Sequence, residues 1–564
     1  MSDTDSRNHV VEREKSHWVR VTILALIPIL IVAGAGVFVL TRHHKPDHRQ
    51  QEAQAALSAY LSSWSKANYA GMAAHADVPA AAIAAVVAPM RRNLIITAAS
   101  YTPGLLTRDK TGDRGTAPYT ARLTLRGLGA WSYSGALTVV KTKDSAKHDV
   151  WRVQFTPAAI EPQLAANRVL TRTHVTAPRG QLLDAEGLPL RGADGDLDSN
   201  LLGTVGPLSA AQAQASGPGF SAGDIAGQTG IERVYNSALA GNPGGSIVLM
   251  QGAIRLQTLK TYPAIPGRDV TTTIDLRVQR AGETALAPVG LPAAIVAIDT
   301  RTGGMLAAVN HPLGGFGRAL RGQYPPGSTF KVITTTAALL AGRNENTPLD
   351  CPPTRTVDNY VFKNAMNESF GPINLIQAFA HSCNTAFVNL RESITEADMK
   401  RAALLYGFDD TPPLPIQSYG GSYPVPLNDV VAAAAAFGQG QVQTSPLQMA
   451  SVAAAVAGGA WRKPFVAGRA TVVHPIPVAV DTQLKAMMRA VVTYGTADVL
   501  QFPGVVYGKT GTAEYGSGPN PPTHAWFIGW RGTVAFSVIV EGGGFGASVA
   551  APIAANFLTA LGPA

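Results

Sequence analysis

The sequence predicts a multidomain, membrane-anchored chain: one transmembrane helix, a small α+β domain, an irregular connecting segment and a large α/β domain. Three observations carry that reading. The chain has 564 residues, and at about 150 residues per domain this length calls for several hydrophobic cores. Residues 21–40 read VTILALIPILIVAGAGVFVL, a run without a charge that is long enough for a helix to cross the hydrocarbon core. Beyond it the hydrophobic period changes from helical to alternating, and after residue 271 strands and helices interleave.

Composition excludes several classes of protein. Apolar residues make up 46% and charged residues 15% of the chain, which contradicts the polar, highly charged signature of disorder. The net charge of +9 is spread along the sequence rather than gathered in a patch, so no nucleic-acid partner is expected. Cys351 and Cys383 are the two cysteines; this excludes a multi-cysteine metal site and leaves open either one bridge or two buried thiols. Neither lies near the N-terminus, so a lipid anchor has no acceptor there.

The apolar run is read as a retained anchor following a tail of residues 1–20. A cleavage-like Ala33-Gly34-Ala35 lies inside the run rather than after it. Arg7, Arg13, Lys15 and Arg20 on one side nearly balance Arg42, Lys45 and Arg49 on the other, so charge alone does not orient the helix. His43, His44 and His48 are read as part of a juxtamembrane basic collar rather than a metal cluster.

Residues 50–164 open with Ala56, Leu57, Tyr60, Leu61 and Trp64 at the spacing of one helical face. Alternation follows at Ala121, Leu123 and Leu125, at Leu137 and Val139, and at Trp151, Val153 and Phe155, predicting strands. This block contains no catalytic constellation and reads as a spacer or docking module. Within the block 165–268, the stretch from Arg179 to Gly245 is rich in Gly, Pro, Ser and Asp, most irregularly over 191–227, and reads as linker and interaction structure. Residues 269–564 begin with a helical pattern, then two strand candidates, 293–298 and 305–309, joined as a hairpin across Thr300-Arg301-Thr302-Gly303-Gly304.

Three short motifs in the last block carry chemistry, and each also occurs as a decoy. Ser-x-x-Lys occurs at Ser63 to Lys66 and at Ser328 to Lys331; Ser-x-Asn at Ser6 to Asn8 and at Ser382 to Asn384; Lys-Thr-Gly at Lys110 to Gly112 and at Lys509 to Gly511. Setting separates them. Ser328 follows Tyr324-Pro325-Pro326-Gly327, which is non-helical, and opens a helical pattern in which Ser328 and Lys331 lie opposite Phe330, Ile333, Ala337 and Leu340. A neutral lysine beside a serine is positioned to take its proton, provided burial lowers the amine's pKa. The serine N–H at a helix start is a ready oxyanion donor.

Ser382-Cys383-Asn384 lies between two helical patterns, on an expected connecting turn. Ser382 is read as a proton relay to a leaving amine and Asn384 as a holder of a substrate amide; the competing reading is that both merely cap a helix. Lys509-Thr510-Gly511-Thr512 follows Val505-Val506-Tyr507 as a strand. Lys509, Thr510 and Thr512 are candidates to receive a carboxylate and the Thr512 N–H to be a second oxyanion donor. Gly511 is read as a place where a substrate strand approaches closely.

With these residues assembled, the chain resembles class B penicillin-binding proteins. YPPGSTFK, SCNTAF, GKTGTAE and HAWFIGW stand in family order, as do Phe437-Gly438-Gln439-Gly440 and residues 444–450, TSPLQMA. Upstream, Arg179-Gly180-Gln181-Leu182-Leu183-Asp184 is similar to the Arg-Gly motif of the family's pedestal, or dimerisation, domain, and Gly230-Ile231-Glu232 with Tyr235, Leu239 and Gly241 to its second signature. Ala185 stands where that pedestal usually has Arg, which puts the local ion-pair network in doubt. The first block, ending WRVQFTPAAIEPQL, resembles the nuclear-transport-factor-like, cone-shaped extension of methicillin-resistance-type members.

The resemblance implies an α/β penicilloyl-transferase (β-lactamase-like) domain with a five-stranded antiparallel sheet and helices on both faces. It implies D,D-transpeptidation of peptidoglycan stem peptides through a Ser328 acyl-enzyme, acylation by β-lactams, and no cofactor or metal. Because that substrate lies outside the cytoplasmic membrane, it implies a single-pass protein with its N-terminus inside and its catalytic domain outside. A glycosyltransferase of the cell-wall machinery is a further expected partner. The alternatives are a β-lactam sensor or divisome scaffold without turnover, and a D,D-carboxypeptidase. A class A β-lactamase is disfavoured because the Glu-x-x-Leu-Asn string of its deacylating base is absent. The run 542–546, GGGFG, lacks the Lys-Ser/Thr of a phosphate loop and reads as a strand-to-helix turn.

Overall fold

The computed structural model describes residues 47–193, 197–410, 413–518 and 520–563. The expected tail and transmembrane anchor lie outside the described residues, as do His43, His44 and the Ser6 to Asn8 string. Among the described residues no helix is long and apolar enough to cross a membrane. The described residues fall into two compact units, 47–173 with Ser246–Thr261, and His174–Gly245 with 262–563. The segment 165–268 is therefore shared between them.

In the first unit, helix α1 (His48–Ser65) buries Ala53, Leu57, Tyr60, Leu61 and Trp64. It starts where the Asp47 side chain accepts from the Arg49 N–H, satisfying a donor that the first turn leaves free. Helix α2 (Ala80–Leu94) follows. Strands β1 (Ile96–Pro103), β2 (Arg114–Leu125), β3 (Gly129–Lys143) and β4 (Asp149–Val153) form an antiparallel meander in chain order. Strand β2 alternates buried and exposed residues throughout, as a sheet with one wet face requires. Phe155 falls beyond the end of β4. Strands β5 (Val169–Arg172), β6 (Gly245–Gln251) and β7 (Ile254–Tyr262) make a separate sheet in the order β7-β6-β5.

The second unit begins with short pieces: residues 191–227 include the helix Ala210–Ser216 and the paired strands Val205–Pro207 and Ile225–Gly227. With Ala185 in place, this segment still holds a buried ion-pair network. Glu232, 5% exposed, is held by Arg179 at 2.6 Å and Arg191 at 3.0 Å, so its buried carboxylate is matched by two guanidiniums.

Next come α3 (Leu276–Leu286), β8 (Ala293–Asp299) and β9 (Met305–His311). The expected hairpin pairs Ala293 with His311 and Ile295 with Val309. Strands β10 (Val506–Glu514), β11 (Thr523–Arg531) and β12 (Val534–Val540) complete a five-stranded antiparallel sheet in the order β9-β8-β12-β11-β10. Both faces are covered. On β12, Ser537 donates its hydroxyl to Pro446 O at 2.6 Å, at the start of the helix Pro446–Gly458, while the adjacent Phe536 ring meets Phe557 of the C-terminal helix Ala550–Ala560 at 5.4 Å. Neighbouring strand residues point to opposite faces, so the two helices lie on opposite sides. Strand β10 is left as an edge, and the helices preceding it in the sequence build the wall that faces that edge.

Candidate active site

Ser328 lies on a 3-10 turn, Gly327–Phe330, that runs into the α-helix Lys331–Leu340. A continuous α-helix from Ser328 was the expectation; the tighter turn eclipses residues three apart and sets Lys331 Nζ 3.1 Å from Ser328 Oγ. This turn presses against β10. A Cβ on Gly327, whose φ is +54°, would lie 2.6 Å from Thr512 O, and one on Gly511 would lie 2.8 Å from Thr329 Cγ2 and 3.2 Å from Pro326 O. The missing Cβ of Gly511 thus admits the close approach of the serine turn.

Ser382 joins the helices Leu375–Ala380 and Asn384–Arg391 with a left-handed φ of +59°, a conformation that costs a non-glycine residue about 1–3 kcal/mol. Its neighbours hold it there. Cys383 is bonded to Cys351 in a disulfide, and Lys331 Nζ lies 2.6 Å from the Ser382 carbonyl. Asn364 braces the same turn, accepting from Thr385 N–H at 3.0 Å while its amide donates to Pro352 O and Glu368 O, both at 2.9 Å.

Lys331 and Lys509 are each 0% exposed. Burial holds the Lys331 amine well below the ordinary lysine range, and the adjacent Lys509 charge pushes it the same way. Burial alone brings Lys509 down to about 7. A neutral Lys331 has two hydrogens and one lone pair, and its surroundings suit that inventory. Ser382 O at 2.6 Å and Asn384 Oδ1 at 2.8 Å accept the hydrogens, leaving the lone pair for the Ser328 hydroxyl. Ser382 Oγ stands between the lysines, 3.3 Å from Lys331 Nζ and 2.8 Å from Lys509 Nζ.

The structure therefore brings Ser328, Lys331, Ser382, Asn384 and Lys509 into one hydrogen-bonded cluster. Asn384 has a different setting from the one expected, since its amide is engaged by Lys331 and by Lys363 O, the latter at 3.2 Å. The Thr510 hydroxyl meets Thr496 Oγ1 at 2.6 Å, and Thr512 Oγ1 accepts from Gly546 N–H at 3.2 Å. Of the decoys, Ser63 lies in the last turn of α1 and Lys110 to Gly112 forms a turn of the first unit, neither in any such cluster. Sequence reasoning missed Thr496 and Asn364. Both act through loops distant in sequence, and the one signal was the Tyr494-Gly495-Thr496 break after the helix Val478–Thr493.

Fold and cluster together define an active-serine acyltransferase with a lysine-activated hydroxyl. A family model described as penicillin binding protein transpeptidase domain matches residues 293–559; models of the penicillin-binding protein dimerisation domain and of an NTF2-like N-terminal transpeptidase domain match 191–272 and 52–168. The peptidoglycan D,D-transpeptidase PbpA of Mycolicibacterium smegmatis is 33% identical over 391 residues, covering 58% of this chain and 78% of that protein. Penicillin-binding protein A of M. tuberculosis, solved as a ceftriaxone acyl-enzyme complex, is similar at 25% identity and a TM-score of 0.55, covering 69% of this chain and 99% of that one. A structure from a peptidoglycan synthase complex that coordinates polymerisation and crosslinking shares the fold, with 24% identity, a TM-score of 0.61 and coverage of 70% and 91%. The chain belongs to the penicillin-binding protein family of transpeptidases.

Proposed function

We propose that the chain is a peptidoglycan D,D-transpeptidase working through a Ser328 acyl-enzyme. The observation that carries the reading is the buried, hydrogen-bonded set of Ser328, Lys331, Ser382 and Lys509. The Lys331 lone pair takes the Ser328 proton as Oγ bonds to the carbonyl carbon between the two terminal D-alanines of a stem peptide. The carbonyl electron pair moves onto oxygen, which the N–H groups of Ser328 and Thr512 receive. When that oxyanion collapses, the C–N bond breaks, and Ser382 passes a proton from the Lys331 ammonium to the departing D-alanine amine. An amine from a neighbouring stem then attacks the ester, its proton returning along the same path, and Ser328 is regenerated. Lys509, with the Thr510 and Thr512 hydroxyls, receives the donor carboxylate.

β-Lactams enter the first half of this cycle and stay on Ser328. A single span at residues 21–40, N-terminus inside, places the domain where stem peptides occur, with a glycosyltransferase of the cell wall as partner. The relative in the synthase complex supports that last assignment. The deciding experiment labels the membrane fraction with fluorescent penicillin and follows D-alanine release with and without an acceptor amine. Ser328→Ala abolishes labelling, and cross-linked product accompanies release in the wild type. Persistent labelling would refute the nucleophile, and release without cross-linking would identify a carboxypeptidase.

A further inference from the structure

Strand β10 is the open edge of the sheet, and the direction of its backbone groups is set by the hairpin that follows it. Tyr515 N–H donates to Pro522 O at 3.0 Å, so odd-numbered residues of β10 spend their N–H and C=O on β11. Even-numbered residues turn theirs to the open side. That side is closed at both ends by side chains. Arg489 Nη1 donates to Val506 O at 2.8 Å. At the other end the Gln439 amide lies against the backbone of Glu514; with the amide oriented so that each end meets a complementary group, its oxygen accepts from Glu514 N–H at 2.8 Å and its nitrogen donates to Glu514 O at 3.2 Å. The Gln439 side chain thus takes both hydrogen bonds that a neighbouring strand would make to Glu514.

The stretch that carries Gln439 is registered on the serine turn. Gly327 N–H donates to Gly438 O at 2.9 Å and Gln439 N–H to Ala434 O at 3.0 Å. A Cβ on Gly438, whose φ is +75°, would lie 2.1 Å from Gly327 O, so the two segments touch backbone to backbone. Gln439 is consequently a fixed stop rather than a passing contact.

Donor direction follows from the function proposed above, on which this inference rests. With the carboxylate at Lys509 and Thr510 and the scissile carbonyl oxygen at Thr512 N–H, the stem continues from the penultimate D-alanine toward Glu514. We infer that Gln439 is a specificity-determining residue that ends strand pairing at the penultimate D-alanine, sending the preceding diamino acid away from the sheet edge. The wild-type enzyme is then nearly indifferent to what precedes D-alanyl-D-alanine in the donor.

The test compares kcat/KM for D-alanine release from a full pentapeptide and from N-acetyl-D-alanyl-D-alanine, using the full-length protein in membranes. The wild-type ratio is expected to be close to one. Gln439→Ala frees both backbone groups of Glu514, and the ratio is expected to rise about tenfold as the longer donor gains two main-chain hydrogen bonds. Gln439→Met keeps the bulk without the amide and is expected to retain the low ratio; it also serves should the alanine variant fail to fold. A wild-type ratio already above about ten, or variants that slow both donors equally, would overturn the inference. If the wild type released no D-alanine from either donor, the functional reading itself would fail and this inference with it, a result separable because it is independent of position 439.

Discussion

In the proposed mechanism a single proton at position 331 decides whether Ser328 is a nucleophile. Burial of the Lys331 amine beside a second cation keeps it unprotonated where an exposed lysine would be charged, so acylation slows as pH falls and that amine gains a proton. Lys509 works in the opposite sense. Its folded pKa of about 7 lies below the ordinary 10.5, so rising pH removes the charge proposed to receive the donor carboxylate. The second-order constant for acylation by benzylpenicillin should therefore be bell-shaped, with its alkaline limb near 7. Lys509→Arg should remove that limb, because arginine stays charged; a wild-type profile flat from about pH 6 to 9 would contradict the assignment. Between about 7 and 10.5 the unfolded chain binds more protons than the folded one, so stability rises with pH across that window. Lys331→Arg should slow acylation about 10²–10⁴-fold and lower the thermal melt without abolishing folding, since it puts a permanent cation where a buried free base stood beside Lys509.

Among the elements, the turn from Ala380 to Asn384 is where stability and catalysis meet. The Cys351–Cys383 bridge spans 32 residues and ties the left-handed Ser382 to the short strand Pro348–Cys351. Replacing both cysteines by serine should cost about 2–4 kcal/mol in urea denaturation and slow acylation about tenfold as Ser382 relaxes from its strained conformation. Unchanged acylation in the double variant would show that Lys331 and Asn364 hold the turn unaided. Elements with strong periodicity were legible in the sequence: the face of α1, the alternation of β2 and the β8–β9 hairpin. The 3-10 turn at Ser328 was not, because 3-10 and α-helical starts share the same hydrophobic spacing and differ only in how the turn is wedged against β10.

For the molecule as a whole, all groups that build the site belong to the second compact unit. Deleting 50–164 should therefore leave penicillin labelling of Ser328 intact, while deleting 21–40 should move the protein from the membrane pellet to the soluble fraction. Lost labelling in a folded truncation would show that the extension shapes the site. The serine, the lysines and the Ser-x-Asn pair could be singled out from order and local setting alone, since each motif stands beside its own start or stop signal. What the sequence by itself determined was the set of groups that the structure brings into one cluster and the kinds of element carrying them, because helix starts, turns and strand periods are local properties of a few neighbouring residues. Only the tertiary structure decided that Asn384 serves Lys331, that Arg191 completes the Glu232 network, and that Gln439 ends the open edge of β10. Those pairings join residues tens of positions apart, and they depend on which surfaces are buried together rather than on any pattern along the chain.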